Sequence, residues 1–130
     1  MNGNHIEVIT MTNAVVHWEI GGRDLAVLRD FYAKAFGWTI DDAIEDYCLV
    51  RPVAGGAGGA LMQTRDDISH HVTVYIDVED LEGALRSVEA LGGTLLIPPT
   101  RINDSLSYAM FRDPSGNAVG LLQGGTLHRT

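Results

Sequence analysis

Two stretches of this chain carry the same succession of hydrophobic patterns. Residues 14–20 are apolar and β-prone, and after Asp24 the apolar positions recur at helical spacing as far as Ala35. Residues 71–78 repeat the strand pattern, and a second helical spacing follows it to Leu91. The order of predicted elements in the first half is therefore repeated in the second.

A constant offset relates the two halves. His17, Asp24 and Leu25 have their counterparts 56 positions later, at Thr73, Asp80 and Leu81. The closing strands are offset by 60, since Ala60 in the first corresponds to Gly120 in the second, so the second half carries about four extra loop residues. A unit of this length is too long for a solenoid repeat and too short to be stable alone. We therefore expect the two copies to fold together around a shared space.

The predicted elements are two helices and eight strands. Asp24 and Asp80 are expected to cap the helices, and Gly37 suits the left-handed position just past a helix end. Pro98 and Pro99 are expected to end a strand, because proline cannot continue a hydrogen-bonded ladder. The strands are predicted at residues 14–20, 38–40, 46–51 and 60–64, and at residues 71–78, 93–97, 107–112 and 118–123.

This order predicts an α+β fold of two βαβββ modules, residues 14–63 and 70–123, whose curled mixed sheets enclose a cup-shaped cavity. Residues 1–130 are read as a single domain, with 1–12 and 124–130 as loose termini and 65–69 as the link between modules. Gly21 and Gly22 are read as a turn after the first strand, and residues 54–59 as a glycine-rich flap over the cup or a simple connector.

Composition narrows the function classes. The net charge of −8 opposes binding to phosphate backbones and anionic membrane surfaces, and no Lys/Arg cluster offsets it. Cys48 is the only cysteine, which excludes an intrachain disulfide and a cysteine zinc cluster, and its apolar surroundings predict a buried packing residue. No apolar run is long enough to span a membrane, so we expect a cytoplasmic protein that binds neither nucleic acid nor membrane.

The joints between the elements resemble those of a known family. They are Asp24-Leu25, Phe31-Tyr32 and Phe36-Gly37-Trp38 in the first half, and residues 78–81, 91–93 and 111–117 in the second. Together they are similar to the vicinal oxygen chelate superfamily, which contains glyoxalase I, extradiol dioxygenases and bleomycin-resistance proteins. The resemblance covers residues 14–123 and implies a homodimer. Within the superfamily, the chain resembles the metal-free, drug-binding branch most closely.

The resemblance also implies where a metal would be bound in the enzymes of this superfamily. Mapped by the joints, the four ligand positions are His17, Ala60, Thr73 and Gly120. One neutral imidazole cannot hold a catalytic divalent ion, which generally needs three protein ligands. We therefore expect no metal and no other cofactor. A rebuilt site from His17, Glu19 and a displaced histidine at His70 or His71 is the alternative, although the two adjacent histidines point to opposite faces of a strand.

Strand alternation predicts which residues line the cup. Glu19 should share a face with His17, where it is a cup carboxylate or the partner of an arginine such as Arg112. Tyr75 should share a face with Thr73 and offers a ring on which a ligand can stack. The expected ligand-binding residues are His17, Glu19, Trp38, Tyr47, Met62, Thr73, Tyr75, Tyr108, Met110 and Leu122; the catalytic residues, if there are any, remain unassigned.

Three functions are compatible with these residues. The first is metal-independent sequestration of a small aromatic or polycyclic molecule, such as an antibiotic to which the host must be resistant. The second is an enzyme of the glyoxalase type, an isomerase, epimerase, lyase or dioxygenase, in which His17 or Glu19 is the general base without a metal or with a reorganised one. The third is an accessory domain without a small ligand. The sequence favours the first.

Overall fold

The computed structural model describes residues 13–65 and 70–125. Three predicted segments lie wholly or mostly outside these residues: the loose N-terminus at 1–12, the loose C-terminus at 124–130 except its first two residues, and the link at 65–69 except Arg65. The described elements are β1 (Val15–Gly22), α1 (Leu25–Phe36), β2 (Tyr47–Val50), β3 (Gly58–Gln63), β4 (His71–Asp77), α2 (Leu81–Ala90), β5 (Thr94–Arg101), β6 (Ser107–Arg112) and β7 (Ala118–Gln123).

The described residues divide into two compact units. The first unit comprises residues 17–74 without the undescribed segment, and the second comprises residues 13–16 together with 75–125. Strands β1 and β4 each contribute residues to both units. The predicted modules, 14–63 and 70–123, divide the chain at other positions, and they remain a prediction about how it is organised.

In the first unit the strand order is β2-β3-β1. Strand β3 pairs in parallel with β1 and antiparallel with β2, with Ala60 opposite both Glu19 and Leu49. Helix α1 covers one face of these strands. The core beneath it is formed by the buried residues Leu25, Cys48, Val50 and Leu61, with Trp18, Ile20, Leu28, Tyr32, Trp38 and Ile40 packed around them.

In the second unit the strand order is β4-β7-β6-β5. Strand β7 pairs in parallel with β4 and antiparallel with β6, so that Gly120 lies opposite both Tyr75 and Met110. Helix α2 covers one face of these strands through a core of Val78, Leu81, Leu85, Ala109 and Leu121. Two helices and seven strands of mixed direction confirm the predicted α+β class.

The registers confirm the offsets found in the sequence. Glu19 pairs with Ala60, and their counterparts at the offsets of 56 and 60, Tyr75 and Gly120, pair with each other. Of the two predicted helix N-caps, one is confirmed. Asp24 accepts a hydrogen bond from the Val27 N–H at 3.1 Å, whereas the Asp80 side chain makes no capping bond, contrary to expectation.

Gly37 ends α1 in the predicted left-handed conformation, with φ +70°, and its N–H donates to the Ala33 carbonyl at 2.9 Å. Cys48 is buried as expected, with 1% of its surface exposed. Burial raises the pKa of its thiol, which keeps Cys48 neutral as a packing residue.

The predicted strand boundaries are wrong at three places. Residues 38–40 form one bridge, Ile40 to Val50, instead of an eighth strand. Strand β1 runs through Gly21 and Gly22 instead of turning there. Strand β5 continues through Pro98 and Pro99 to Arg101, because it pairs only with β6 and its register shifts twice along this stretch, so the missing N–H groups interrupt no second ladder.

The glycine-rich segment 54–59 is less open than predicted. Gly58 and Gly59 are buried residues of β3. A Cβ built at Gly59 would lie 2.0 Å from Cδ2 of Trp18, so the Trp18 ring occupies the place of a side chain there. The Trp18 indole N–H also donates to the Ala57 carbonyl at 3.2 Å. Residues 57–59 are therefore packed against Trp18, and only the turn at residues 53–56 is a simple connector.

Candidate functional site

Strand β1 places polar side chains on the face of the first unit that α1 does not cover. Trp18 and Ile20 point toward α1 and pack against its core. The alternate residues His17 and Glu19 therefore point to the opposite face. Both are buried, with 1% and 7% of their surfaces exposed. Buried polar groups are costly unless they are hydrogen-bonded, so the partners of these two side chains determine what the face can do.

Glu19 is paired with a histidine. Its Oε1 lies 3.0 Å from Nε2 of His71, the first residue of β4. The neighbouring Gly21 makes this approach possible, since a Cβ at position 21 would lie 2.5 Å from Cε1 of the His71 ring. The Arg112 guanidinium, the partner considered from the sequence, donates to the Gly116 carbonyl at 2.9 Å instead.

His17 is paired with a tyrosine. Its Nε2 lies 2.9 Å from the hydroxyl of Tyr47, and the two rings are stacked with their planes 26° apart. Tyr47 pairs with Met62 across β2 and β3, and Gly21 pairs with Met62 across β1 and β3, which places Met62 on the same face.

Thr73, two residues after His71 on β4, is buried with 4% exposed. Its position in the strand places it on the same face as His71. Five predicted site residues of the first unit thus share the face opposite α1, together with His71; they are His17, Glu19, Tyr47, Met62 and Thr73. We refer to this set of six residues as the polar face.

Trp38 does not belong to the polar face. It packs on the α1 side, where its ring stacks on Tyr32 with the planes 8° apart and the centroids 5.0 Å apart. The Trp18 ring lies 5.1 Å away in the same cluster. The prediction of Trp38 as a ligand contact assumed a regular strand at residues 38–40, and the single bridge there directs its side chain to the helix instead.

The second unit gathers the remaining predicted residues. Tyr75 and Met110 lie opposite Gly120 in neighbouring strands, and Tyr108 lies opposite Leu122. The alternate residues Ala109 and Leu121 belong to the α2 core, so these four side chains share the face that α2 does not cover. Tyr75 and Leu122 are buried, with 6% and 1% exposed. The uncovered face of the second unit is therefore aromatic and apolar, whereas the polar face of the first unit carries His17 and Glu19.

The ligand positions implied for a metal do not fit a metal ion. Ala60 is fully buried and has no donor atom. At Gly120 a Cβ would lie 2.2 Å from two atoms of the Tyr75 ring, so this ring occupies the place of a side chain at residue 120. Among residues 13–65 and 70–125, no three His, Cys, Asp or Glu side chains converge to hold an ion. The alternative site rebuilt from His17, Glu19 and His71 therefore lacks the geometry of a metal centre.

A family model of the Glyoxalase/Bleomycin resistance protein/Dioxygenase superfamily matches residues 14–121. The chain belongs to this superfamily. The match includes both repeats and agrees with the resemblance carried by the joints. Within the described residues, no helix is both long and apolar enough to cross a bilayer.

Curated relatives of the superfamily match most of the chain. Over 77% of its length it is 28% identical to CFP32 of Mycobacterium tuberculosis, whose name proposes a glyoxylase, and covers 41% of that protein. Over 85% of its length it is 25% identical to the anthracycline biosynthesis protein DnrV of Streptomyces peucetius, covering 46% of it. The chain thus spans less than half the length of these relatives.

Solved structures match the fold. The methylmalonyl-CoA epimerase of Mycobacterium tuberculosis superimposes with a TM-score of 0.68 over 94% of this chain and 95% of the epimerase, at 18% identity. A superfamily member from Vibrio splendidus gives a TM-score of 0.63 over 86% of this chain and 99% of its own, at 19% identity. At these identities the likeness concerns the fold alone.

The sequence did not predict the hydrogen bond between His71 and Glu19. It also did not predict that Thr64 is a buried polar residue, with 3% of its surface exposed. The spacing carried a signal for both. His71 stands two residues before Thr73 on the same strand face, and Thr64 continues the alternation of Ala60 and Met62 one step beyond β3. Which side chain meets Glu19 depends on how the strands pair, and a single sequence does not contain this information.

Proposed function

We propose that this superfamily member binds a small aromatic or polycyclic molecule at the polar face, without a metal and without turnover. One observation carries the proposal. Two polar pairs, Glu19 with His71 and His17 with Tyr47, each join a buried side chain of β1 to a partly buried one of another strand, on the face that α1 leaves uncovered. Ligand sites commonly combine apolar surface with a few fixed polar groups, and Met62 supplies apolar surface beside these pairs.

The hydrogen bonds support a binding role because they fix the orientation of both imidazoles. A side chain already held in one geometry loses little conformational entropy when a ligand arrives. The acidic composition, with a net charge of −8, would favour a cationic ligand over an anionic one. A relative named for anthracycline biosynthesis makes the anthracyclines, polycyclic aromatic compounds that carry an amine, a reasonable first class to test.

We further propose a cytoplasmic homodimer as the binding species. Large apolar side chains remain exposed on the chain, among them Ile44 at 76%, Val72 at 75% and Leu91 at 81%. Exposed apolar surface of this kind is a common basis for association between copies. Sedimentation velocity at micromolar concentrations tests the proposal; a single species of monomeric mass at high micromolar concentration would refute the dimer.

Tyr47 provides the test of binding at the polar face. Tyr47→Phe removes the hydroxyl that holds His17, and we expect it to weaken binding of the fluorescent anthracycline daunorubicin by about 3- to 10-fold, the effect of one hydrogen bond of about 0.5–1.5 kcal/mol. Tyr32→Phe removes a hydroxyl from the α1 side and is the matched control, with unchanged affinity expected. Fluorescence titration measures both. Equal losses in the two variants would place the ligand elsewhere.

A second function, a metal-independent acid–base enzyme, is favoured by the Glu19–His71 pair. A buried carboxylate 3.0 Å from an imidazole could remove a proton from a carbon next to a carbonyl group, becoming a neutral carboxylic acid while the negative charge moves to the carbonyl oxygen of the substrate. The reaction would then be an isomerisation, epimerisation or lyase step. Glu19→Gln keeps the shape and removes the base, so it should abolish turnover of a carbonyl substrate while leaving the binding of that substrate largely intact.

A further inference from the structure

Thr64 is a buried polar residue at the edge of the polar face that the proposed function has not used. It follows β3 directly, and its backbone N–H donates to the Gly22 carbonyl at 2.8 Å. Only 3% of its surface is exposed. Within the described part of the chain, the Thr64 hydroxyl is the only buried side-chain donor or acceptor without a hydrogen-bond partner.

Gly21 lies against both the Thr64 side chain and the ring of His71, the partner of Glu19. A Cβ built at Gly21 would lie 2.5 Å from Cε1 and 2.8 Å from Nδ1 of the His71 ring, and 2.9 Å from Cγ2 of Thr64. The imidazole and the threonine side chain therefore converge over the same residue, which has no side chain to separate them. Glu19 holds the imidazole in this place through its hydrogen bond.

A buried hydroxyl without a partner is unfavourable, because it has lost its hydrogen bonds to water without replacement. In folded proteins the large majority of such groups are satisfied by protein, ordered water or ligand. The Thr64 hydroxyl has no such partner within the described residues, Thr64 is more than nine-tenths buried, and its side chain converges with that of His71 on Gly21.

We propose that Thr64 and His71 form an oxygen-binding subsite of the polar face, which takes a hydroxyl or carbonyl oxygen of the ligand. The proposal rests on the proposed function and names one recognition element of that site. The threonine hydroxyl can donate to a carbonyl or accept from a hydroxyl, so both groups fit. Gly21 is the residue that lets these two side chains approach each other, since any side chain there would meet His71 and Thr64.

Two variants that each remove one group of the Thr64 side chain test the subsite. Thr64→Val removes the hydroxyl and keeps the shape, and Thr64→Ser keeps the hydroxyl and removes the methyl group. We expect Thr64→Val to bind daunorubicin at least 5-fold more weakly than the wild type, and Thr64→Ser to stay within about 2-fold. Affinity of Thr64→Val within 2-fold of the wild type would show that the hydroxyl does not contact the ligand and would overturn the subsite.

The melting temperature without ligand gives an independent readout. A hydroxyl without an internal partner contributes nothing favourable, so Thr64→Val should melt at the same temperature as the wild type or higher. A fall of more than about 3 °C, the order of one lost hydrogen bond, would mean that the protein itself satisfies the hydroxyl and would overturn the subsite. If the wild type binds no daunorubicin, the proposed ligand class fails, and a fall in the melting temperature of Thr64→Val would still overturn the subsite independently.

Discussion

The two units of this chain secure the start of their helices in the same way and differ on the faces that the helices leave uncovered. In the first unit the Leu25 N–H donates to Oε1 of Gln63 at 2.9 Å. In the second the Leu81 N–H donates to Oε1 of Gln123 at 2.7 Å. Each glutamine is the last residue of the strand that closes its repeat, so the bond ties the two ends of each repeat together.

The uncovered faces carry different chemistry at corresponding positions. Glu19, paired with His71, corresponds to Tyr75, whose ring covers Gly120. Ala60, which corresponds to Gly120, leaves no such space for a ring. The repeated positions thus keep the framework, while the uncovered positions differ between the units. The uncovered face of the first unit therefore offers hydrogen-bonding groups, and that of the second offers aromatic surface.

The largest expected effect tests whether Tyr75 and Gly120 form one packing unit. Gly120→Ala places a Cβ 2.2 Å from the Tyr75 ring, and we expect it to lower the free energy of unfolding by about 1–3 kcal/mol, the cost of an overpacked core. Urea unfolding measures the loss. In a Tyr75→Ala background the same change should cost less than about 0.5 kcal/mol, because the steric conflict is gone. Equal costs in both backgrounds would contradict this packing.

The next effect tests whether the framework is equivalent in the two units. Gln63→Leu and Gln123→Leu each leave a helix N–H without its acceptor, and each should destabilise the protein by about 1 kcal/mol. The loss at Gln63 should be the larger of the two, because its amide N–H groups also donate to the Arg23 and Thr64 carbonyls. Thermal unfolding of both variants measures this. A neutral result at Gln123 would show that the glutamines are not equivalent.

The smallest effect concerns the turn at Asp113, whose counterpart at Val53 in the first unit has no carboxylate. Hydrogen bonds from the Asn117 side chain and from the backbone of residues 115–117 lower the pKa of Asp113 from its usual value of 3.8. A lowered carboxyl pKa means that the stabilising effect is present above pH 3.8 and is lost as the pH falls through and below that value. Asp113→Ala should therefore lower the melting temperature slightly at pH 7. The difference should vanish near pH 2, and a difference that persists there would contradict the argument.

The sequence predicted those parts of the molecule that depend on local patterns. The offset of 56, the helix that ends at Gly37 and the burial of Cys48 all follow from spacing and composition. The eighth strand was wrong, since residues 38–40 form a single bridge, and the Trp38 ring packs on Tyr32, while its role as a ligand contact stays a prediction. His71 as the partner of Glu19 required strand register, which is a tertiary property.

His17 provides the most direct test of the central claim, which is binding without turnover at the polar face. Daunorubicin is titrated into the wild type and into His17→Ala at pH 7, and the ligand is recovered by chromatography after incubation. We expect saturable binding and unchanged ligand with the wild type, and a weaker affinity in the variant, because it lacks the imidazole that is hydrogen-bonded to Tyr47. Steady conversion of the compound to a released product, lost in His17→Ala, would show that the protein is an enzyme and would contradict the account.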